Sequence, residues 1–276
     1  MVGVAIGEER ERCSYSFGNS FGNRTVSRVA SRSAALCEQQ DGRARRDASQ
    51  REPGPTSAMP TLTVENYLKA ILHLEPRPRS REFVSPGRIA ETLGLTPGTV
   101  TSMMKTLEAD GLVRYRPYAG VQLTSRGRKV ALHVLRRHRL VELFLVETLG
   151  MDWSEVHEEA EELEHAISDR VLERLDAFLG HPAVDPHGDP IPRDGTLPVE
   201  DSIPLAETET GQCYRIARLL DQRPEFLEMA ERHGLLPGKQ VTIREIDDTA
   251  GIIRVRIARK DISLSTDVAD RVVVSV

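Results

Sequence analysis

Cysteine is scarce. The chain of 276 residues has three, Cys13, Cys37 and Cys213, odd in number and far apart. They fit neither a disulfide framework nor any zinc-finger spacing, and the expected compartment is a reducing cytoplasm. Long apolar runs are also missing. Nothing approaches the roughly 20 residues of a membrane span, and the N-terminus lacks the apolar core of about 7–15 residues that marks a secretory signal. No membrane partner is expected. Aromatic residues are few, at 4% with a single Trp. Catalytic motifs are absent too. His157-Glu158 begins a His-Glu-x-x-His pattern, but position 161 is Glu. No glycine-rich phosphate loop or nucleophile elbow appears. An enzyme is therefore not expected, nor a small organic substrate.

What the chain does have is charge, unevenly spread. The net charge is -5, yet residues 59–140 carry a balance of +8 and residues 141–210 one of -16. Residues 1–58 and 211–276 are nearly balanced, at +2 and +1. A basic segment beside a very acidic one suggests one part for a polyanion and another for cations.

The acidic part centres on ten residues, Val156-His157-Glu158-Glu159-Ala160-Glu161-Glu162-Leu163-Glu164-His165. On a helix, His157, Glu161, Glu164 and His165 fall within an arc of roughly 100°. Val156, Ala160, Leu163 and Ile167 form the apolar arc beside it. Carboxylates at the margin of a buried face are costly unless paired or bound to a cation. The competing reading is a solvated acidic helix with two surface histidines. His138 and Glu142, four apart in the preceding long helix, share a face; a surface contact is the simpler reading of that pair.

The basic part reads as helices and a hairpin. Thr63 is a cap for a first helix to Leu74. Ser85-Pro86 and Thr96-Pro97 each supply a cap followed by proline at the first helical position. They start helices over 86–93, ended by Gly94, and 97–109. Strands over 112–116 and 121–124 flank Pro117-Tyr118-Ala119-Gly120. Two short helices with a tight glycine turn, then a hairpin, make a winged helix-turn-helix. In such a motif the second helix enters the major groove. Thr96, Gly98, Thr99, Ser102 and Lys105 are the DNA-contact candidates, with Arg114, Arg116 and Arg126 on phosphates. The bland alternative makes Thr96 a cap and Thr99 and Ser102 ordinary surface residues.

Four segments result. Residues 1–58 read as a disordered arm or a misassigned start before Met59, and 59–130 as the DNA-binding domain. A long helix over 126–149 and the acidic helix over 155–168, extending to 179, give a helical metal-binding and dimerisation domain over 131–200. Residues 181–209 are rich in Pro, Gly and Asp, a linker or ordered loop in which His181 and His187 are expected to be solvated. Residues 211–276 read as a five-stranded SH3-like barrel with a helix over 224–233. The fold class is mainly α with a small β barrel.

The order of parts, together with Glu65-Asn66-Tyr67-Leu68, Ile89–Gly111, Arg137-His138-Arg139-Leu140-Val141-Glu142, Val156–Asp169 and Gly188-Asp189-Pro190-Ile191-Pro192, resembles the diphtheria toxin repressor family of three-domain metal-dependent repressors. The last segments look most like its manganese-responsive branch. The resemblance covers residues 59–276. It implies a homodimer on a pseudo-palindromic DNA operator and two metal sites per subunit. An ancillary site would use His138, Glu142 and His157. A primary site would use Asn66, Glu161, Glu164 and His165. A side chain from the third domain, Gln222 or Glu225, would join the ancillary set. The iron-responsive branch has Met at the position of Asn66 and Cys at that of Glu161, whereas this chain offers oxygen at both. Harder donors favour Mn(II), with Fe(II) as the alternative. Other classes that fit parts of the sequence are a metalloenzyme, a winged-helix regulator of a small organic ligand, and a metal buffer.

Overall fold

The computed structural model describes residues 61–75, 83–198 and 201–275. The expected arm over 1–58 lies outside the described residues. Helix α1 (Leu62–Leu74) begins two residues earlier than the sequence suggests. Thr61, not Thr63, is its cap, with its hydroxyl accepting the Val64 N–H. Helices α2 (Pro86–Leu93) and α3 (Pro97–Ala109) start as read: Ser85 accepts from the Arg88 N–H and Thr96 from the Thr99 N–H, each before a proline. Strands β1 (Val113–Arg116) and β2 (Gly120–Leu123) pair antiparallel, Arg116 opposite Gly120. Leu68, Ile71, Ile89, Val100, Met104 and Leu107 are fully buried between these elements.

Helix α4 (Ser125–Leu149) is the spine. Thr124 caps it through the Gly127 N–H, so the helix starts one residue before the expected 126. The same hydroxyl donates to the carbonyls of Gly111 and Leu112. Its first turn lies hard against the hairpin, because a Cβ on Gly127 would stand 2.0 Å from the Leu112 carbonyl oxygen. Ala131 faces the first core, whereas Leu140, Val141 and Leu145 face α5 (Val156–Leu163) and α6 (Asp169–Phe178).

Those two helices correct the expected continuous acidic helix. α5 ends at Leu163, and Ser168 starts a new helix by accepting the Val171 N–H. A local cap outcompetes continuation. Glu164 keeps helical backbone angles, φ -56 and ψ -32, so it and His165 follow directly from the acidic face.

The segment after α6 is no loose linker. Bridges Val184–Pro190 and Arg193–Thr196 order it, and Asp185, His187, Asp189 and Ile191 are buried. Gly188 has φ +88, and a Cβ there would stand 2.0 Å from the Ala217 carbonyl oxygen. The His187 carbonyl accepts the Leu219 N–H at 3.0 Å.

The C-terminal sheet has six antiparallel strands, one more than expected. They are β3 (Ser202–Pro204), β4 (Cys213–Leu219), β5 (Gln240–Asp247), β6 (Ile252–Ile257), β7 (Lys260–Ser265) and β8 (Val272–Ser275), in the order β3-β8-β4-β5-β6-β7. β3 and β7 are edges, so the sheet is open where a closed barrel was expected. Helix α7 (Pro224–His233) and the short α8 (Thr266–Ala269) cover its apolar face, with Leu227 of α7 in one core with Ile216, Leu219, Val241 and Ile243. Among the described residues, no helix is long and apolar enough to cross a membrane.

Candidate metal centre and nucleic-acid interface

His138 and Glu142 lie one turn apart on α4 and face α5, which presents His157 and Glu161. His138 Nε2 is 3.0 Å from Glu142 Oε1, His157 Nδ1 is 3.2 Å from the same oxygen, and the two nitrogens are 3.2 Å apart. An octahedron of donors at about 2.1 Å from its centre has edges of about 3.0 Å. The triangle thus has the dimensions of one face of a cation's coordination shell. His138 Nδ1 is 2.8 Å from Glu164 Oε2. A carboxylate only accepts, so Nδ1 carries the proton of that bond and Nε2 faces the cluster. Burial disfavours the His138 imidazolium, but hydrogen bonds to Glu142 and Glu164 outweigh it and hold its pKa at about 9. Burial would raise the Glu142 carboxyl, yet His138 and His157 hold it far below the usual carboxylate range. The expected ancillary set is therefore assembled.

Of the expected primary set, Glu161 and Glu164 are drawn together by a different cation. Lys69 Nζ lies 2.6 Å from Glu161 Oε1 and 2.6 Å from Glu164 Oε1. Burial opposes ionisation of Glu161, and Lys69 more than offsets it, lowering that pKa. His165 Nε2 is 3.2 Å from Glu164 Oε1, while its Nδ1 is 2.7 Å from Glu65 Oε2. Two atoms of the set are buried without a hydrogen-bond partner, Asn66 Oδ1 and His165 Nε2. Both are donors of the kind a divalent cation takes. Asn66, Lys69, His138, Glu142, His157 and Glu161 all line one cavity of about 350 Å³.

A third group escaped the sequence reading. The ligand atoms of Glu142, Asp185 and His187 lie within 4.8 Å of one another, and all three residues are buried. Glu142 Oε2, Asp185 Oδ2 and His187 Nδ1 have no hydrogen-bond partner. His187 Nε2 bonds the Trp153 carbonyl at 2.9 Å, so Nδ1 is the nitrogen left facing Glu142 Oε2, 4.0 Å away. The expectation of a solvated His187 is thus overturned; His181, bonded to Asp176, is the exposed one. Burial pushes the Asp185 carboxyl well up, and the nearby Asp189 and Glu142 carboxylates push it further. Arg139 Nε, 3.5 Å from Asp185 Oδ2, is its nearest positive charge. The sequence signal was Asp185-Pro186-His187-Gly188-Asp189, a donor-rich turn easily mistaken for a polar loop. Of the third-region candidates, Gln222 lines the cavity and donates to Asp189. Glu225 is exposed at the start of α7 and lines none of this cavity, so it is not brought to the cluster.

In the helix-turn-helix region, Thr96, Gly98, Thr99, Ser102, Lys105 and Arg116 are all exposed. Thr96 does cap α3, and its hydroxyl is 2.9 Å from that of Thr99. The Arg116 guanidinium lies 5.1 Å from the Phe83 ring centre. Tyr118, at the hairpin tip, is fully exposed with φ +66; the sequence reading placed it in the wing without singling it out.

Comparison with known proteins agrees with this architecture. Residues 59–121 match the model of the iron dependent repressor N-terminal DNA binding domain. Residues 124–193 match that of the iron dependent repressor metal binding and dimerisation domain, and 203–276 that of the FeoA domain. The iron-dependent repressor IdeR of Mycobacterium bovis is 33% identical over 225 residues, covering 76% of this chain and 95% of that protein. The diphtheria toxin repressor of Corynebacterium diphtheriae is 33% identical over 221 residues, covering 75% and 94%. A manganese-dependent transcriptional repressor solved in complex with manganese superposes with a TM-score of 0.71 at 37% identity, covering 77% and 99%. ScaR with bound Cd2+ gives 0.66 at 36%, covering 77% and 98%. The chain belongs to the diphtheria toxin repressor family of metal-dependent DNA-binding repressors.

Proposed function

We propose that this chain is a cytoplasmic, homodimeric repressor that binds operator DNA when loaded with Mn(II) and so controls metal-ion homeostasis genes. Fe(II) is the rival metal. The observation that carries the reading is the triangle of His138 Nε2, His157 Nδ1 and Glu142 Oε1, with cation-sized edges of 3.0–3.2 Å. The donors reaching the cavity are oxygen and nitrogen with no sulfur, which suits a hard cation. Candidate ligands are His138, Glu142 and His157 in one set and Asn66, Glu161, Glu164 and His165 in the other. The second oxygen of Glu142, with Asp185 and His187, offers a further buried group of candidate ligands. When bound, the metal supplies positive charge to this carboxylate-rich cleft.

The residues explain how that charge reaches DNA binding. Asn66 and Lys69 ride on α1, which packs in one core with the α2–α3 unit. Glu161 and Glu164 belong to the acidic region. Contacts across this cleft fix α1, and with it α3, relative to α4 and α5. α3 then presents Thr96, Gly98, Thr99, Ser102 and Lys105 to the major groove, with Arg116 on the wing. Leu149 and Phe178 are exposed apolar side chains at the ends of α4 and α6, a surface suited to a second copy. Operator binding measured with chelator, then with Mn(II) or Fe(II) added back anaerobically, tests the proposal on wild type and Glu161→Ala. Mn(II)-dependent binding lost in the variant is expected. Equal binding in chelator would remove metal as the signal, and activation by Fe(II) alone would reverse the metal assignment.

A further inference from the structure

We infer that Glu65 is a positioning residue that aims His165 Nε2 at the metal from across the domain boundary, through a carboxylate–imidazole pair. The inference rests on the reading of His165 as a ligand. Glu65 and His165 are 100 positions apart in sequence, yet His165 Nδ1 is 2.7 Å from Glu65 Oε2. Glu65 itself is 6% exposed and is pinned from its far side by Arg137 Nη1, 3.3 Å from Oε1 and 3.4 Å from Oε2. Arg137 is 4% exposed. A buried carboxylate held this way has one role open to it toward the imidazole, which is to accept the Nδ1 proton.

That bond decides which nitrogen is free. With Nδ1–H given to Glu65, the lone pair available for a cation is on Nε2. Nε2 is the buried atom without a hydrogen-bond partner, and it stands 3.2 Å from Glu164 Oε1. Metal-ligating histidines commonly give their second N–H to a carboxylate, which fixes ring orientation and raises donor strength. The same arrangement recurs at His138, whose Nδ1 faces Glu164. The difference lies in where the carboxylate comes from. Glu65 is on α1, so His165 is correctly aimed only while α1 is docked against the turn after α5. Ligation at Nε2 makes Nδ1–H a better donor, and the Glu65 bond tightens the docking in return.

The test uses the full chain. Mn(II) affinity is measured by electron paramagnetic resonance titration for wild type, Glu65→Gln, Glu65→Ala and His165→Ala. In parallel, 15N spectra of the imidazoles are recorded on wild type loaded with diamagnetic Zn(II), which needs no variant to fold. The expected result is a loss of affinity of about 10–100-fold in Glu65→Ala, a smaller loss in Glu65→Gln, and an Nδ1-protonated, Nε2-ligated His165. If His165→Ala weakens Mn(II) binding but both Glu65 variants bind as wild type, or if His165 ligates through Nδ1, the inference falls while the metal site stands. If His165→Ala also binds as wild type, the ligand assignment itself is wrong and the inference goes with it.

Discussion

Replacing Lys69 by Met removes the ammonium that bridges Glu161 and Glu164. Its ammonium is 2.6 Å from an oxygen of each, and the side chain is 10% exposed. The Glu161 contact is partly solvated, with that side chain 37% exposed, so it contributes little. Glu164 is fully buried, and breaking a buried pair on one side costs about 3–5 kcal/mol. Glu164 keeps His138 and His165 as neighbours, which favours the lower figure. About 3 kcal/mol corresponds to a fall of roughly 6–12 °C in melting temperature for a folded region of this size. With saturating Mn(II) the loss should largely vanish, because the ion supplies the missing charge. By linkage the variant should bind Mn(II) about 100-fold more tightly than wild type. Thermal unfolding in chelator and in Mn(II), combined with a Mn(II) titration, reads both numbers. A variant whose chelated melting temperature is unchanged and whose Mn(II) affinity is equal or weaker would refute the idea that Lys69 competes with metal.

Other expectations follow from single features. In chelator, stability should decline with alkalinity. The His138 pKa is raised from its ordinary value near 6.5 to about 9, so its contribution is complete below about 6.5 and lost as pH rises through about 9. The full loss is roughly 3 kcal/mol, and urea unfolding at pH 6, 7.5 and 9 measures it; a flat profile contradicts the His138 pairing. Mn(II) affinity should run the opposite way and rise over the same range, since the metal displaces the His138 proton; calorimetry in buffers of different ionisation enthalpy counts the protons released. Gly188→Ala should destabilise by several kcal/mol, as its Cβ meets the Ala217 carbonyl at 2.0 Å at a positive φ. A melting temperature within a degree of wild type would show that this contact yields. Lys105→Ala should weaken operator binding for all sequences alike and reduce the salt slope by about one, whereas a change confined to one base position would make Lys105 a base reader.

Legibility of the sequence followed the range of the interactions. Ser85-Pro86, Thr96-Pro97 and Gly94 are local devices whose effect does not depend on the rest of the fold, and α2 and α3 begin where they place them. Ser168 was an equally local signal, read as the end of the acidic helix but not as the cap of a separate one. The alternation Lys260-Asp261-Ile262-Ser263-Leu264-Ser265 buries Ile262 and Leu264 and marks β7 in hindsight. The metal cluster was only half legible. Spacing put His157, Glu161, Glu164 and His165 on one arc, and resemblance supplied His138 and Glu142. Nothing local could reveal that Lys69 would enter that arc, or that His187 would be buried against Trp153 and Glu142. Those contacts link residues 34 to 95 positions apart and depend on how α1, α4 and the loop after α6 pack.

Glu164 has one carboxylate and two clienteles. Its Oε2 holds His138, which belongs to one donor set, and its Oε1 meets His165 of the other together with the Lys69 ammonium. A change of occupancy on either side therefore alters the basicity felt on the other. On the proposed reading of two metal sites, the two equivalents should bind with coupled affinities, and operator occupancy should follow metal concentration along a curve unlike a simple hyperbola. Mutating Glu164 should then make the two binding steps independent of one another, besides weakening them.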